Sequence, residues 1–315
     1  MVEYSATVRR AWLRRQQLVR GRSVVRGRSP LRRGLGMLGA VALVTLLGGC
    51  NIGDTFDGFG WPEHGVTPQA NRMYNLWIGS VVAALLVGFF VWGLIFWCII
   101  RYRKRGDGEL PPQTRFNLPI ELLFTVTPFL IIAVLFYYTA VIQTDVNKLS
   151  KNPDVTVEVI AFKWNWQFNY KESAQPDAAT VTSTIGTSEI VPILVVPTGK
   201  TIRIEETSKD VIHSFWVPDL LFKRDVFPGA IARNQFEVTI TKAGAYVGRC
   251  AELCGIYHAY MNFELRAVTP EQYEQFLAAK RAGKSTPEAL AAIGQAPQAT
   301  TTEPFETKRN AEDLP

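Results

Sequence analysis

The chain has 315 residues, of which 47% are apolar, and a formal charge of +6. That apolar content excludes a disordered protein, and four cysteines are too few for a small disulfide-stapled scaffold. Residues 1–33 contain ten arginines and one glutamate, so they carry +9 and leave −3 for the rest of the chain. The basic character is therefore confined to the first tenth of the sequence, and nucleic acid is not an expected partner.

Residues 1–49 are arranged like a bacterial signal peptide. The Arg-rich stretch ends at Arg33, and an uncharged run rich in Leu, Ala, Val and Gly follows to Gly49. This run is too short to span a bilayer. Its end, Leu47-Gly48-Gly49-Cys50, resembles a lipobox, which predicts that Cys50 is lipidated and becomes the first mature residue. An ordinary signal peptide with an incidental cysteine, or an uncleaved anchor, is the alternative.

Two apolar runs predict a transmembrane hairpin over residues 76–144. Residues 76–100 contain no charge, and residues 118–142 contain one, Glu121. Each run is long enough to cross a hydrocarbon core about 30 Å thick. The loop at 101–117 carries a net charge of +3, which the positive-inside rule places in the cytoplasm.

Both flanks of the hairpin are then outside, which agrees with an export signal. We therefore expect a multi-pass protein of the bacterial cell membrane, with both termini of the mature chain on the outer side. The exported parts are a short segment at 50–75 and everything from residue 145 onward.

Residues 145–268 have the pattern of an antiparallel β-sandwich or barrel. Short runs rich in β-branched residues alternate with turns that contain Pro and Gly. The predicted strands are 155–161, 193–196, 201–205, 235–240, 245–248 and 262–268. Residues 163–170 alternate polar and aromatic side chains, which favours a further strand with Trp166, Phe168 and Tyr170 on its inner face. Residues 172–188 are small and polar, and they predict a surface loop.

The last part of the chain is predicted to be helical and then disordered. Thr269 and Pro270 begin a short helix, and a second short helix ends near Gly294, so that both lie within 269–294. Residues 295–315 are rich in Ala, Gln, Thr and Pro, which predicts a disordered tail.

A cluster of soft donors lies between the last two predicted strands. Cys250, Cys254, His258 and Met261 fall within twelve residues, and His213 precedes Cys250 by 37 residues. Two of the three histidines and two of the four cysteines of the chain therefore belong to this group. Thiolate and thioether ligands favour copper, and imidazole is a common copper ligand.

Other interpretations of these residues are weaker. The Cys-x3-Cys spacing alone is compatible with a disulfide in an exported protein. Zinc would accept two cysteines and two histidines, but it does not require methionine. A mononuclear blue-copper site uses one cysteine and leaves the second without a role. Two coppers that share two bridging thiolates would use both, with one histidine on each copper.

The motif Cys250-x-Glu252-x-Cys254-x3-His258-x2-Met261 resembles that of subunit II of haem–copper cytochrome c oxidases. The segment His-Ser-Phe-Trp-Val-Pro from His213 matches the first ligand loop of that family. The resemblance covers residues 70–268 and implies a membrane-anchored all-β protein, in which a two-helix hairpin precedes a cupredoxin-like sandwich. It also implies a subunit of a proton-translocating oxidase, in which the oxygen chemistry belongs to another chain.

The resemblance implies the following cofactors. A binuclear CuA centre with two coppers would be bound by His213, Cys250, Cys254, His258, Met261 and the Glu252 carbonyl. The Glu252 carboxylate would reach a magnesium or manganese ion shared with subunit I. The sequence has no Cys-x-x-Cys-His motif, so we expect no haem in this chain.

The resemblance also implies partners and further functional positions. Trp164 matches the tryptophan through which electrons from cytochrome c enter, and Asp210 matches an acid that docks a basic cytochrome. Asn169 stands where many members have an acid, which would suit a membrane-bound cytochrome donor. Oxidase subunits I, which carries the haem, and III are the expected neighbours in the membrane.

Glu121 has two interpretations. It is either an interfacial carboxylate or, as the resemblance implies, the mouth of a proton channel. The alternative function is a membrane-tethered copper carrier or store, which would need an exposed, labile site. A quinol-oxidase subunit of the same fold typically lacks the copper ligands, all of which are present in this sequence.

Overall fold

The computed structural model describes residues 65–104, 106, 113–171, 182–229 and 234–304. The predicted signal peptide at 1–49, the lipidation site Cys50 and the following residues to 64 lie outside this part of the chain.

Two long helices form the predicted hairpin, α1 (Pro68–Arg101) and α2 (Leu118–Val146). The helix α1 begins where the Thr67 hydroxyl accepts a hydrogen bond from the Ala70 N–H at 2.9 Å, with a proline as its first residue. Both helices are long and apolar enough to cross a membrane, and their most apolar segments are not buried within the molecule. The two spans are therefore confirmed, although both helices extend beyond the predicted limits.

The hairpin is attached to the β domain at the end where α1 begins and α2 ends. Arg72 of α1 forms an ion pair with Asp145 of α2. Just before α1, the Val66 N–H donates to the Asp219 carbonyl at 3.1 Å, and the Val66 carbonyl accepts from the Thr241 N–H at 2.9 Å. These backbone bonds join the start of α1 to the β domain.

In the described part of the chain, ten strands form two five-stranded sheets. In chain order they are β1 (Val155–Phe162), β2 (Asn165–Lys171), β3 (Thr182–Ile185), β4 (Ile193–Pro197), β5 (Thr201–Ser208), β6 (His213–Val217), β7 (Phe222–Val226), β8 (Gln235–Thr239), β9 (Gly244–Cys250) and β10 (Asn262–Val268). The first sheet has the order β3-β2-β1-β5-β8 and the second β4-β10-β9-β6-β7. The pairs β1–β5 and β4–β10 are parallel and the others antiparallel.

Buried aromatic side chains from both sheets meet in one core. The ring of Trp166 on β2 lies 5.3 Å from that of Phe263 on β10, in an edge-to-face arrangement. Phe263 also stacks on Phe215 of β6 at 4.8 Å. Such pairs are favoured by the charge distribution of the rings. The predicted β-sandwich is therefore confirmed, with side chains from both sheets directed into a shared apolar core.

The structure adds three strands that the sequence pattern did not predict: β3, β6 and β7. The strand β3 lies inside the segment 172–188, which was expected to be a loop. Three of its four residues, Thr182–Ile185, are polar, and they are extended because they pair with β2 (Tyr170↔Thr182). Residues 172–181 lie outside the described part of the chain.

Two short helices follow the sandwich, α3 (Pro270–Arg281) and α4 (Thr286–Ala292). Each begins with a capping box, in which a Thr or Ser side chain and the third residue of the helix satisfy each other's backbone N–H groups. The buried side chains of α3 pack on the sandwich, and the Tyr170 ring lies 5.9 Å from the Phe276 ring.

The expectation of a disordered tail from residue 295 is wrong for residues 295–304. The Glu264 carboxylate is fully buried and accepts hydrogen bonds from the N–H groups of Thr300 and Thr301 at 2.6 and 3.0 Å. The Arg266 guanidinium, paired with Glu264, donates to the Ala296 carbonyl at 3.1 Å. Composition predicted disorder because it cannot show that a buried ion pair binds this backbone.

Candidate metal centre

The strands β9 and β10 hold the loop that carries four of the predicted donors. The strand β9 ends at Cys250, β10 begins at Asn262, and the two pair antiparallel. The Cys250 N–H donates to the Met261 carbonyl at 3.0 Å and closes the base of the loop. A short 3-10 turn over His258–Tyr260 returns the chain to Met261. The loop therefore begins and ends at neighbouring positions of one sheet, and its donors converge.

The fifth donor comes from β6, which starts at His213. Phe215 pairs with Cys250, so β6 runs beside β9 and brings the histidine to the same end of the sheet. His213 is fully buried, and its Nδ1 lies 3.7 Å from the Cys250 sulfur. The donor atoms of His213, Cys250 and Cys254 lie within 4.8 Å of one another.

The two thiols occupy the middle of the cluster. The sulfurs of Cys250 and Cys254 are 3.8 Å apart. The Cys254 sulfur lies 3.6 Å from His258 Nδ1 and 3.8 Å from the Met261 sulfur. The Glu252 carbonyl lies 3.3 Å from the Cys250 sulfur. The structure thus brings all six predicted metal-site residues together, and each thiol has an imidazole of its own.

This donor set fits copper better than the alternatives. Both cysteines are free, and their separation is nearly twice the length of a disulfide bond, about 2.0 Å. Because a thiolate binds a metal at about 2.3 Å, two sulfurs 3.8 Å apart can bind the same ion. The Met261 thioether is fully buried beside Cys254, and a soft ligand of that kind selects copper over zinc. The residues therefore fit a CuA site.

Asp210 lies against the buried histidine. One carboxylate oxygen is 2.8 Å from His213 Nε2, and the other accepts the Lys163 N–H at 2.7 Å. Partial burial raises the pKa of Asp210, but hydrogen bonds from His213 and Lys163 lower it below its usual value. Burial lowers the pKa of His213, and hydrogen bonds with Cys250 and Asp210 outweigh that effect and raise it. The carboxylate thereby holds the ring with Nδ1 toward the thiols.

The two thiols differ in acidity. Burial raises the pKa of Cys250, but hydrogen bonds, chiefly from His213, lower it to about 7. Burial and the neighbouring Cys250 thiolate raise the pKa of Cys254 to about 12. One thiolate therefore forms readily near neutral pH, whereas the second requires a cation to replace its proton.

Trp164 lies over the ligand loop and is partly exposed. Its indole N–H donates to the Cys254 carbonyl at 3.1 Å, and its ring meets the Tyr257 ring edge-on at 4.9 Å. The backbone passes closely beneath the indole at Gly255, which has a φ of +125°. A Cβ at this position would lie 3.1 Å from the indole. Trp164 therefore connects the surface with a residue that carries a metal ligand.

Trp166 is a residue whose contact with the centre the sequence did not reveal. The aromatic alternation of its strand predicted only an inward-facing core residue, and it is fully buried. Its indole N–H donates to the Met261 carbonyl at 3.2 Å, and its ring lies 6.2 Å from the His213 ring. No sequence pattern pairs residues that are 95 positions apart.

Two other predicted positions lie away from the metal centre. The Glu121 carboxylate accepts the Asn117 N–H at 3.0 Å at the start of α2, so it acts as a helix cap. Asn169 is buried, and its amide donates to Glu158 at 2.9 Å, so it does not form part of an exposed docking surface.

Comparisons with known proteins agree with the site and the fold. Residues 155–268 match the family model "Cytochrome C oxidase subunit II, periplasmic domain", and residues 61–141 match "Cytochrome C oxidase subunit II, transmembrane domain". Together the two models match more than half of the chain.

Similar proteins come from several actinobacteria. A protein of Nocardia farcinica named "Probable cytochrome c oxidase subunit 2" is 45% identical over 335 residues, covering 88% of each chain. A "Cytochrome c oxidase subunit 2" of Mycobacterium tuberculosis is 42% identical over 323 residues, covering 87% of this chain and 88% of the relative. Among solved structures, the periplasmic domain of cytochrome oxidase subunit II of Bradyrhizobium japonicum is 26% identical, with a TM-score of 0.37, over 43% of this chain and 99% of that one.

Proposed function

The chain belongs to the cytochrome c oxidase subunit II family, and from this membership we propose how its residues serve electron transfer. It is a membrane subunit of a haem–copper oxidase complex, and its Cys/His cluster fits a CuA copper site. The observation that carries the proposal is the pair of free thiols 3.8 Å apart, each beside its own imidazole. Copper held there accepts and releases one electron at a time.

Two coppers would share the thiolates of Cys250 and Cys254. Nδ1 of His213 would hold one copper and Nδ1 of His258 the other, because each faces a different thiol. The Met261 thioether, 3.8 Å from the Cys254 sulfur, and the Glu252 carbonyl, 3.3 Å from the Cys250 sulfur, would complete the ligand set. These are the residues of the family motif.

The protein would keep this geometry rigid. His213, Cys250, Cys254 and Met261 are buried, and Asp210 fixes the first imidazole. If the ligands do not move when the charge of the bound copper changes, the reorganisation energy of electron transfer is low. Trp164 is the candidate point where electrons enter, because it is partly exposed and hydrogen-bonded to Cys254.

The wider setting follows from the family. Cytochrome c, soluble or membrane-bound, would donate electrons on the outer side of a bacterial membrane, and the haem of subunit I would receive them. Oxygen reduction, coupled to proton translocation, would then take place in subunit I, and subunit III would be a further neighbour in the membrane. The Glu252 carboxylate would reach a magnesium or manganese ion shared with subunit I, and Cys50 would carry a lipid at the mature amino terminus.

Copper loading of the full-length chain in detergent tests the proposal. We expect two coppers per chain and a purple, mixed-valence visible spectrum. Cys250→Ser should abolish the purple colour. Cys98→Ser is the matched control, because Cys98 is an exposed free thiol on α1, remote in sequence from the metal centre, and its loss should leave the spectrum unchanged.

Two outcomes would contradict the proposal. A single copper with a blue spectrum would indicate a mononuclear site. Rapid loss of copper to a mild chelator would favour a membrane-tethered copper carrier, because a carrier must release its metal.

A further inference from the structure

We propose that Trp166 is a positioning residue of the metal centre, whose indole N–H holds the Met261 backbone and so fixes the Met261 thioether beside Cys254. This inference rests on the proposed function, since the thioether matters only if it is a copper ligand. It assigns a second tryptophan to the centre, distinct from Trp164 at the surface.

The Met261 carbonyl accepts two hydrogen bonds. One comes from the Cys250 N–H at 3.0 Å and the other from the Trp166 indole N–H at 3.2 Å. Trp166 and Met261 are both fully buried, so water does not replace either donor. Losing a buried partner leaves a polar group unsatisfied, and the surrounding chain then shifts to compensate. The carbonyl of Met261 is therefore held from two directions.

The indole is itself rigidly placed. The backbone carbonyl of Trp166 accepts the Gly186 N–H at 3.1 Å, and the backbone N–H of Trp166 donates to the Asn165 side-chain oxygen at 2.9 Å. Its ring packs edge-on against Phe263 at 5.3 Å and Phe215 at 6.0 Å. A donor with so little freedom defines the position of its acceptor.

The position of Trp166 in the fold gives this contact its significance. All of the candidate ligands belong to the second sheet: His213 starts β6, Cys250 ends β9, and the rest lie in the loop before β10. Trp166 belongs to β2 of the first sheet. Its N–H and ring therefore tie the first sheet to the ligand loop, and its ring lies 6.2 Å from the His213 ring.

Weakening the hold on Met261 should be visible in the properties of the copper. An axial thioether tunes the reduction potential of a copper–thiolate site. Trp166→Phe keeps an aromatic ring and removes the N–H, so the thioether becomes less well placed. Because a weaker donor stabilises oxidised copper less, we expect the reduction potential to rise and the visible bands to shift.

The test uses the copper-loaded full-length chain and four variants, one of which is a control. Trp166→Phe should move the potential in the same direction as Met261→Leu, and the double variant should show no shift beyond Met261→Leu. Phe168→Leu is the control. Phe168 is a buried aromatic residue of the same strand that packs on Phe263 at 5.5 Å, and its replacement should leave the potential unchanged.

If Trp166→Phe does not fold, hydrogen exchange in the wild-type chain without copper tests the same inference. In the wild-type apo chain, the Trp166 indole N–H should exchange with solvent much more slowly than that of Trp164, which is partly exposed. Fast exchange at Trp166 would overturn the inference, as would an unchanged potential in Trp166→Phe or a shift that adds to that of Met261→Leu. If the wild-type chain is not purple at all, the proposed function fails instead, so the two failures are distinguishable.

Discussion

The Asp210 carboxylate and the His213 imidazole form a hydrogen-bonded pair, with Asp210 Oδ1 2.8 Å from His213 Nε2. The pair leaves His213 Nδ1 to face the Cys250 sulfur. The family resemblance implies that Asp210 docks a cytochrome, and the geometry adds a second task, which is to orient His213. A carboxylate on the far nitrogen of a metal-binding imidazole fixes the ring and makes it a stronger donor.

Two substitutions separate these tasks. Asp210→Ala removes the charge and the acceptor, and we expect it to lower copper affinity by about tenfold or more. Asp210→Asn keeps an acceptor oxygen, so it should retain copper but raise KM for a basic cytochrome c at low salt. Asp154→Asn is a control for charge alone, because Asp154 lies near the exposed Lys200 in a different loop. Unchanged copper affinity in Asp210→Ala would contradict the orienting role.

Gly255 is required beneath Trp164. With a φ of +125° and a Cβ position 3.1 Å from the indole, Gly255→Ala should strain the loop and displace the tryptophan. The backbone strain alone costs about 1–3 kcal/mol. Gly199→Ala is the matched control, since its φ is +69° and its Cβ would meet no atom within 4 Å.

Both glycine variants should lower Tm. Only Gly255→Ala should also slow electron uptake from cytochrome c, measured by rapid mixing with the copper-loaded chain. Equal electron-uptake rates in the two variants would show that Trp164 is not the point where electrons enter.

Most residues of the metal site could be predicted from local sequence. Cys250, Cys254, His258 and Met261 lie in one loop, so their spacing alone predicted a metal cluster. Residue type added His213 to this group, but its place beside the thiols depends on the pairing of β6 with β9, a long-range contact that local spacing does not show. The apolar runs were equally informative, since a bilayer imposes its thickness on any helix that crosses it.

Most of the missed features depend on tertiary contacts. The Trp166 N–H finds its acceptor 95 residues away, and β3 is extended only because β2 lies beside it. From its residue type Asp210 is expected to be a surface acid, but the turn after β5 brings its carboxylate to the His213 ring. In each case the residue type admits several environments, and packing decides between them.

The Glu121 carboxylate caps α2, and one substitution tests whether it also takes part in proton uptake. Glu121→Gln keeps an oxygen for the Asn117 N–H and removes the charge. We expect it to slow steady-state turnover of the assembled oxidase while electron uptake at the copper centre is unchanged. Glu121→Ala is the comparison, because it loses the cap as well, at about 1 kcal/mol. Normal turnover in Glu121→Gln would leave the carboxylate with only its capping role.

Glu206 introduces a pH dependence into the stability of the β domain. It faces the core from β5, is 1% exposed, and neither carboxylate oxygen has a hydrogen-bond partner. Burial raises its pKa well above the ordinary value of 4.5, and the opposing charges of Arg224 and Asp225 have smaller effects. The unfolded chain therefore releases the Glu206 proton at a lower pH than the folded one.

The sign of the effect follows from this difference. Above pH 4.5 the free energy of unfolding should fall by about 1.4 kcal/mol per pH unit, until the folded pKa is reached. Glu206→Gln should remove this slope and raise Tm at pH 7. Glu205→Gln is the control, because Glu205, the preceding residue, is partly exposed and paired with Lys171. Unfolding can be monitored by tryptophan fluorescence at several pH values. If the free energy of unfolding of Glu206→Gln depended on pH as steeply as that of the wild type, Glu206 would not be the source of the pH dependence.

The segment 295–304 should stabilise the sandwich through Glu264. Its Thr300 and Thr301 N–H groups bind a carboxylate that is fully buried, and its Ala296 carbonyl accepts from Arg266. A chain that ends at residue 294 loses these partners and leaves an ion pair that is only partly satisfied inside the protein. We expect Tm to fall, with a loss of about 2–3 kcal/mol, because an unsatisfied charged group retains its full desolvation cost.

A chain that ends at residue 304 is the matched control, and it should unfold like the complete protein. The double variant Thr300→Val, Thr301→Val then separates the contributions of side chain and backbone. It removes the hydroxyl bonds to Glu264, 3.2 and 3.0 Å long, and keeps both N–H groups. Its loss of stability should be smaller than that of truncation, because the N–H groups still neutralise part of the buried charge. A truncation at 294 with an unchanged Tm would mean that water replaces the segment around Glu264.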